Sequence, residues 1–207
     1  MGSPRISLSF TRHSRKSEES GFSLVETVVV LGIIAITLGF AVIGTTSSLP
    51  GYKSDAAMDQ VVSQLRSARL RAISQRHEVQ VQFSGDHQLI ITDIVLKGAA
   101  PAPVTVDFEG GAKFVLVSGV PDTLMASGGG TATTPPISAI YFGGIANGPP
   151  VMKFTTTGAF VDNANSFVDG TVFLAIGQNA STARAITVLG ATGRIRPYHY
   201  DGTTWQQ

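Results

Sequence analysis

The feature that most limits what this chain can fold into is an unbroken apolar run at residues 22–44. The run, FSLVETVVVLGIIAITLGFAVIG, is 23 residues long, and Glu26 is its only ionisable side chain. A helix of this length measures about 34 Å, which exceeds the ~30 Å hydrocarbon core of a bilayer. The sequence therefore predicts a transmembrane helix over residues 22–44 that carries a single carboxylate.

The segment before the apolar run is basic. Residues 1–21 contain four basic and two acidic residues, whereas residues 22–207 contain 11 basic and 12 acidic residues. Cationic residues next to a membrane span favour the cytoplasmic side, so we expect the N-terminus in the cytoplasm and the bulk of the chain outside it. This distribution of charge indicates membrane topology and not nucleic-acid binding.

Two simple interpretations of this region are incomplete. A cleavable secretory signal has an apolar core of ~7–15 residues followed by small residues at the cleavage site, so this run is too long and Pro50 follows it unfavourably. A plain membrane anchor explains the length and the orientation. It leaves Glu26 unexplained, because an unpaired carboxylate near the membrane costs on the order of 3 kcal/mol.

The junction at the start of the run, GFSLVE at residues 21–26, resembles the processing site of type IV prepilins and type II secretion pseudopilins. The resemblance implies that a prepilin peptidase cuts after Gly21, so that residues 1–21 are a cytoplasmic leader peptide. It implies that Phe22 becomes an N-methylated N-terminus. Glu26, fifth in the mature chain, would then contact the N-terminal amine of a neighbouring subunit in a helical filament, and the paired charges would offset part of the cost of burial.

The residues that follow predict a break and then a second helix. Residues 45–51 are polar and end in Pro50-Gly51, which predicts an interruption or kink. From about residue 53 to residue 76, apolar side chains recur at spacings of three and four, which predicts an amphipathic helix with one buried face. That face comprises Met58, Val61, Val62, Leu65, Ala68, Ala72 and Ile73.

Basic residues lie off this apolar face. They are interpreted either as the solvated back of the helix or as a contact surface for neighbouring subunits or anionic headgroups. The set comprises Lys53, Arg66, Arg69, Arg71 and Arg76, accompanied by Asp55 and Asp59.

Residues 78–207 read as a β-rich head. Alternating apolar residues at 79, 81 and 83, a turn at 84–86 and an apolar stretch at 89–91 predict a hairpin. Residues 124–138, with three consecutive glycines and a proline pair, predict a surface loop. With the preceding helix, this predicts an α+β, pilin-like fold in which a long N-terminal helix packs on an antiparallel β-rich head. Further strands are predicted at 104–108, 113–117, 140–142, 151–155, 171–176 and 184–189.

Catalytic and metal-binding patterns are absent from the sequence. The chain has no Cys, and the His77-Glu78 pair has Val81 where a zinc protease helix would have a second His. The four His residues stand at 13, 77, 87 and 199, none with a partner at metal-ligand spacing. We therefore predict a protein that is not an enzyme and has no cofactor or metal.

The C-terminal half carries a further resemblance. FTTTG at residues 154–158, the strands predicted at 171–176 and 185–189, and GRIR at residues 193–196 resemble the GspH/FimT class of minor pseudopilins and minor pilins. In some FimT-like minor pilins the Gly-Arg-x-Arg pattern is associated with DNA binding during natural transformation. By that resemblance, Arg194 and Arg196 are candidate DNA-binding residues.

Two interpretations of residues 193–200 stay open. In an extended strand Arg194, Arg196, Tyr198 and Tyr200 would share one side, which suits phosphate contact and base stacking, although Pro197 can bend the row. Alternatively, this is a final β-hairpin, turned by residues 190–193, with solvated arginines on its outer face.

The sequence as a whole predicts a minor pseudopilin or minor pilin. Such a subunit would be held in the inner membrane by one span, with its head in the periplasm, and would join a type II secretion pseudopilus or a type IV pilus. Expected partners are other pilins through the N-terminal helix, the prepilin peptidase, the inner-membrane assembly platform and membrane lipid, with DNA as a further candidate. The alternatives are a DNA-binding minor pilin for transformation and a generic membrane-anchored exported β protein.

Overall fold

The computed structural model describes residues 23–95, 98, 101–123, 136, 138–143, 145–146 and 151–207, without the side chains at 41–48, 109, 145 and 146. Gly21, Phe22, the leader and most of the loop predicted at 124–138 lie outside the described residues. The chain divides into two compact units, Met1–Thr45 and Thr46–Gln207.

One helix, α1, spans Leu24–Gln75 and includes Pro50. The interruption predicted at residues 45–51 is therefore wrong, whereas the kink given as its alternative stays a prediction. The helix predicted from about residue 53 is the second part of α1. A proline removes one backbone hydrogen bond and crowds one carbonyl, but the bonds on either side can carry the helix through. Within the described residues, no helix has the combination of length and apolar character that crossing a membrane requires.

The second part of α1 buries the apolar face that the sequence predicts. Met58, Val61, Val62, Leu65, Ala68 and Ala72 are buried in the main core, which confirms six of the seven positions. Ile73 is 39% exposed, so its assignment to the core is wrong. It lies at the margin of the face, with its Cδ1 close to Gly158.

The head is built from short antiparallel strands. Two 3₁₀ turns, Glu109–Gly111 and Ala180–Thr182, lie between them. The strands in the described residues are β1 Glu78–Ser84, β2 Gln88–Ile94, β3 Val104–Asp107, β4 Lys113–Phe114, β5 Ile140–Phe142, β6 Ile145–Ala146, β7 Val151–Phe154, β8 Phe160–Val161, β9 Gly170–Ala175, β10 Arg184–Leu189, β11 Arg194–Tyr200 and β12 Trp205–Gln206.

The strands form two sheets. The first has the order β3-β2-β1-β7-β8, and the second has the order β12-β11-β10-β9-β5-β6, with β4 also paired to β9. The main core joins the buried face of α1 to side chains from both sheets, such as Val81, Ile91 and Ile186. The α+β prediction, with a helix packed on an antiparallel β head, is confirmed.

The hairpin predicted from residue 79 is confirmed by the pairing of β1 with β2, and both strands alternate half-buried and buried residues. Strand β4 is shorter than predicted, because Phe114 pairs with Leu174 and Ile140 then pairs with Val172 farther along the same edge of β9. The sequence prediction missed β6, β8 and β12, which are two residues long and carry too little pattern.

A second, smaller core covers the face of the second sheet away from α1. Residues 115–123 supply Val117 and Val120, and the C-terminal strands supply Tyr200 and Trp205. The indole Nε1 of Trp205 donates to the carbonyl of Pro121 at 2.9 Å. Both faces of β10 are therefore buried.

Candidate functional site

The first turns of α1 present apolar side chains to the surroundings. Leu24 is 80% exposed and Phe40 is 73% exposed, values that an aqueous surface helix avoids. Within the described residues, no other segment covers these apolar side chains. The other large exposed side chains of this stretch are Val25, Val28, Val29, Val30, Leu31, Ile33, Ile34, Ile36 and Leu38.

The polar side chains in this stretch differ in whether they have a hydrogen-bond partner. The Thr27 hydroxyl donates to the carbonyl of Leu24 at 2.9 Å, and the Thr37 hydroxyl donates to that of Ile34 at 2.9 Å. Both hydroxyls are thus satisfied by their own helix. The carboxylate of Glu26, in the first turn, has no partner among the described residues.

The C-terminal candidate residues lie on the β10–β11 hairpin, which α1 holds at both ends. At one end Arg184 of β10 donates through Nε to Asp55 Oδ1 at 2.5 Å, and through Nη1 to the carbonyls of Ser181 and Ala183 at 2.9 Å. The Arg184 side chain is 7% exposed, whereas that of Asp55 is 44% exposed. This cation is therefore buried against the sheet and anchored to the helix.

At the other end, Arg69 of α1 binds the turn of the hairpin. Its Nε donates to the carbonyl of Gly158 at 3.1 Å and its Nη2 donates to that of Thr192 at 2.9 Å. Gly193 has a φ of +61° and lies so close to Gly158 that a Cβ would overlap the Gly158 carbonyl oxygen. The glycine of the GRIR pattern therefore has a packing role.

Of the five basic residues that the sequence singled out, four lie in α1 and Arg76 directly follows it. Two of the four, Arg69 and Arg71, fit neither interpretation that the sequence left open. Arg69 binds the two carbonyls named above, and Arg71 pairs with the buried Asp93 at 3.2 Å. Both are intramolecular anchors, because Asp93 and the turn carbonyls need a donor. Lys53, Arg66 and Arg76 are exposed and make no ion pair with any described residue, as a solvated helix back requires.

Arg194 and Arg196 lie on the outer face of β11, where no described carboxylate pairs with either. Arg194 faces Leu189 and is exposed, and Arg196 faces Thr187 and is half-buried. The hairpin predicted here is confirmed, but it is not the final one, because β12 pairs with the end of β11.

Only part of the possible row of four side chains on β11 is accessible to a ligand. Tyr198 is half-buried beside the arginines, but Tyr200 is buried in the second core with its ring 5.3 Å from that of Trp205. One of the two interpretations left open placed Tyr200 in a row with Arg194, Arg196 and Tyr198, but its buried ring is not accessible to a ligand. Packing against the single Trp of the chain outweighs exposure of the ring.

The turn that leads from β11 to β12 depends on one carboxylate. Oδ1 of Asp201 accepts from the amides of Thr203 and Thr204, each at 2.7 Å. These bonds, with those from the Thr203 hydroxyl and Gln206, hold the pKa of Asp201 below its ordinary value of 3.8.

Acidification should therefore loosen this turn. A lowered folded-state pKa means that the contribution of Asp201 to stability is present above pH 3.8 and is lost as the pH falls through the lower folded value. We expect the Trp205 fluorescence of the wild type to change over this acid range more than that of Asp201→Asn. Identical acid titrations of the two proteins would contradict the assignment.

Comparison with known proteins gives two similar solved structures. No protein-family model matches the sequence, and no curated protein matches it. The type IV minor pilin FimU of Pseudomonas aeruginosa, in crystals of space group P65, is 16% identical with a TM-score of 0.45; the match covers 74% of this chain and 97% of that one. Its structure in space group P21 gives the same identity and TM-score, with 92% of that chain covered.

Proposed function

We propose that the chain is a pilin-like structural subunit, of the minor pseudopilin or minor pilin class, which is cleaved after Gly21 and assembles through α1. In this proposal residues 22–44 anchor it in the inner membrane and the head faces the periplasm. Other subunits, the prepilin peptidase, the assembly platform and membrane lipid are its partners. The observation that carries the proposal is Glu26, which has no partner among the described residues and lies at the start of an apolar helix whose side chains are exposed there.

The physical argument rests on the contrast between Glu26 and its neighbours. Thr27 and Thr37 satisfy their hydroxyls within the helix, so they can enter an apolar environment at low cost. Among the described residues the carboxylate of Glu26 has no such partner, and in an apolar environment it needs a cation. Cleavage after Gly21 would create an ammonium group at Phe22, and a second copy could bring that group to Glu26. Subunits in register would then be favoured over misaligned ones.

Replacement of the carboxylate tests this role. We expect Glu26→Val to remain in the membrane fraction but to be lost from the assembled filament, because the charge partner of the neighbouring amine is removed. Thr37→Val is the matched control, since its hydroxyl serves only its own helix, and it should assemble normally. Incorporation of Glu26→Val at the wild-type level would show that no such pairing is needed.

Mass spectrometry of the mature N-terminus tests the processing. The expected species begins at methylated Phe22 in cells that contain the cognate peptidase and at the initiator Met1 in cells that lack it. A chain that still begins at Met1 when the peptidase is present would support the generic anchored β protein. A knockout assayed for both secreted hydrolases and transformation separates a secretion role from a pilus role.

A second candidate function, DNA binding during uptake, is favoured by one observation. Arg194 and Arg196 have no carboxylate partner among the described residues, and Tyr198 lies on the same face. Because residues 22–207 carry 11 basic and 12 acidic residues, binding would depend on this patch alone and would weaken steeply with salt. An Arg194→Ala/Arg196→Ala double variant should lose the shift of a DNA fragment at low salt, and Arg66→Ala/Arg76→Ala should keep it.

A further inference from the structure

The outer edge of β11 is open over most of its length. On one side β11 pairs with β10 from Arg194 to His199, but on the other side β12 pairs only with His199 and Tyr200. No described strand lies beside residues 194–198 on that second side. An edge of this kind presents unpaired backbone donors and acceptors to any extended chain that approaches it.

The register shows which groups face this edge. The amide of Tyr200 donates to the carbonyl of Ala183 at 3.2 Å, so these two residues form a hydrogen-bonded pair. Because bonded and non-bonded pairs alternate in an antiparallel ladder, Ile195 and Pro197 turn their backbone groups away from β10. The open edge therefore offers the N–H and C=O of Ile195 and the C=O of Pro197, and the missing N–H of Pro197 removes no bond to β10.

The charged side chains beside this edge, Arg194 and Arg196, are both positive. Arg194 and Arg196 stand two residues apart on the outer face, and neither guanidinium pairs with a carboxylate in the described part of the chain. Their partners across β10 are Leu189 and Thr187, which are uncharged. A strand added beside β11 would place alternate side chains ~5 Å from these arginines.

We propose that the β11 edge binds an extended acidic peptide segment of a partner protein by strand addition. The segment lies antiparallel to β11, in line with β12. It pairs its backbone with Ile195 and Pro197, and it sets two acidic side chains, two residues apart, against Arg194 and Arg196. Backbone bonds supply affinity and the charge pattern supplies specificity. The proposal does not require the assembly function of α1.

An acidic peptide fits these observations better than DNA does. Both ligands are anionic, but only a peptide uses the row of backbone donors and acceptors along the edge. Two guanidinium groups on a chain whose residues 22–207 have a slight acidic excess make a small electrostatic footprint for a duplex. Proline and like charges on this edge also oppose pairing with a second β11 edge, which selects against self-association.

Fluorescence anisotropy on the full chain in detergent micelles at low salt tests the charge pattern. The probe is a labelled peptide with the core Thr-Glu-Val-Glu-Thr, and the comparison peptide has Lys in place of both Glu residues. We expect binding of the acidic peptide only, weakened about tenfold or more by Arg194→Glu/Arg196→Glu, since like charges facing each other across strands repel. Arg66→Glu/Arg76→Glu, on an exposed cation of α1 and the exposed cation that follows it, is the matched control and should bind as the wild type does.

N-methylation of the peptide tests strand addition itself. Moving one N-methyl group along the acidic peptide should abolish binding at every second position, because only alternate amides face β11. The proposal fails if the acidic peptide does not bind, if N-methylation has the same effect at successive positions, or if the charge-reversal variant with an unchanged unfolding midpoint binds like the wild type. It also fails if a duplex DNA of equal charge displaces the peptide while the N-methylation pattern is flat.

Discussion

Gly193→Ala should destabilise the head by about 3–4 kcal/mol, because an added methyl group meets rigid backbone at a position that already has a positive φ. The β-carbon would overlap the carbonyl oxygen of Gly158 and would come within 2.9 Å of Nε of Arg69. The turn would have to move away from the 154–160 segment, and the two bonds of Arg69 would be lost with it. Urea unfolding followed through Trp205 measures the loss.

Gly177→Ala is the control for this experiment. Gly177 has a φ of +64°, close to the +61° of Gly193, but nothing lies within 4 Å of its added Cβ. Its substitution should cost only about 1 kcal/mol, the price of the left-handed conformation. Equal losses at the two glycines would mean that the contact with Gly158 is unimportant and that backbone conformation alone explains both.

Asp55→Ala should destabilise the head by about 2 kcal/mol, because it leaves the buried guanidinium of Arg184 with carbonyl partners only. The loss stays below that of a fully buried ion pair, since the Asp55 side chain is 44% exposed and water can replace part of the interaction. Thermal unfolding of the full chain in detergent measures the change.

Asp59→Ala, one turn farther along α1, is the matched control for Asp55→Ala. Asp59 is exposed and pairs with no described cation, so its loss should change stability by less than ~0.5 kcal/mol. In a second variant, Arg184→Met is added to Asp55→Ala, which removes the buried charge with its partner. This double variant should be more stable than Asp55→Ala alone. If it is less stable, the packing and carbonyl bonds of Arg184 matter more than its charge.

The sequence was sufficient where one face of an element is buried over several turns or pleats. Val61, Leu65 and Ala72 recur at helical spacing, and the structure buries them all. The alternation of Val79 and Val81 likewise predicts a half-buried strand, which β1 confirms. In both cases the spacing of the buried residues follows from the geometry of the helix or strand itself, so a short stretch of sequence is enough to reveal it.

The sequence was insufficient where distant segments meet. Arg69 resembles any other exposed helix cation until residues 158 and 192, far along the chain, place their carbonyls beside it. Strand β4 ends at Phe114 because β5 occupies the next stretch of the β9 edge, which no local pattern encodes. The sequence alone names Glu26, Arg194 and Arg196 as candidates, and their roles stay predictions, whereas the anchoring role of Arg184 could not be predicted from it.

The two arginine contacts between α1 and the hairpin have a mechanical consequence. Asp55 and Arg69 are 14 positions apart on one helix, about 21 Å along its axis, and they bind opposite ends of β10–β11. A tensile force applied along the helix would reach the sheet at both points together. We therefore expect the Asp55–Arg184 and Arg69–Thr192 contacts to be loaded in shear at the same time, so that they resist the force together and do not break one after the other.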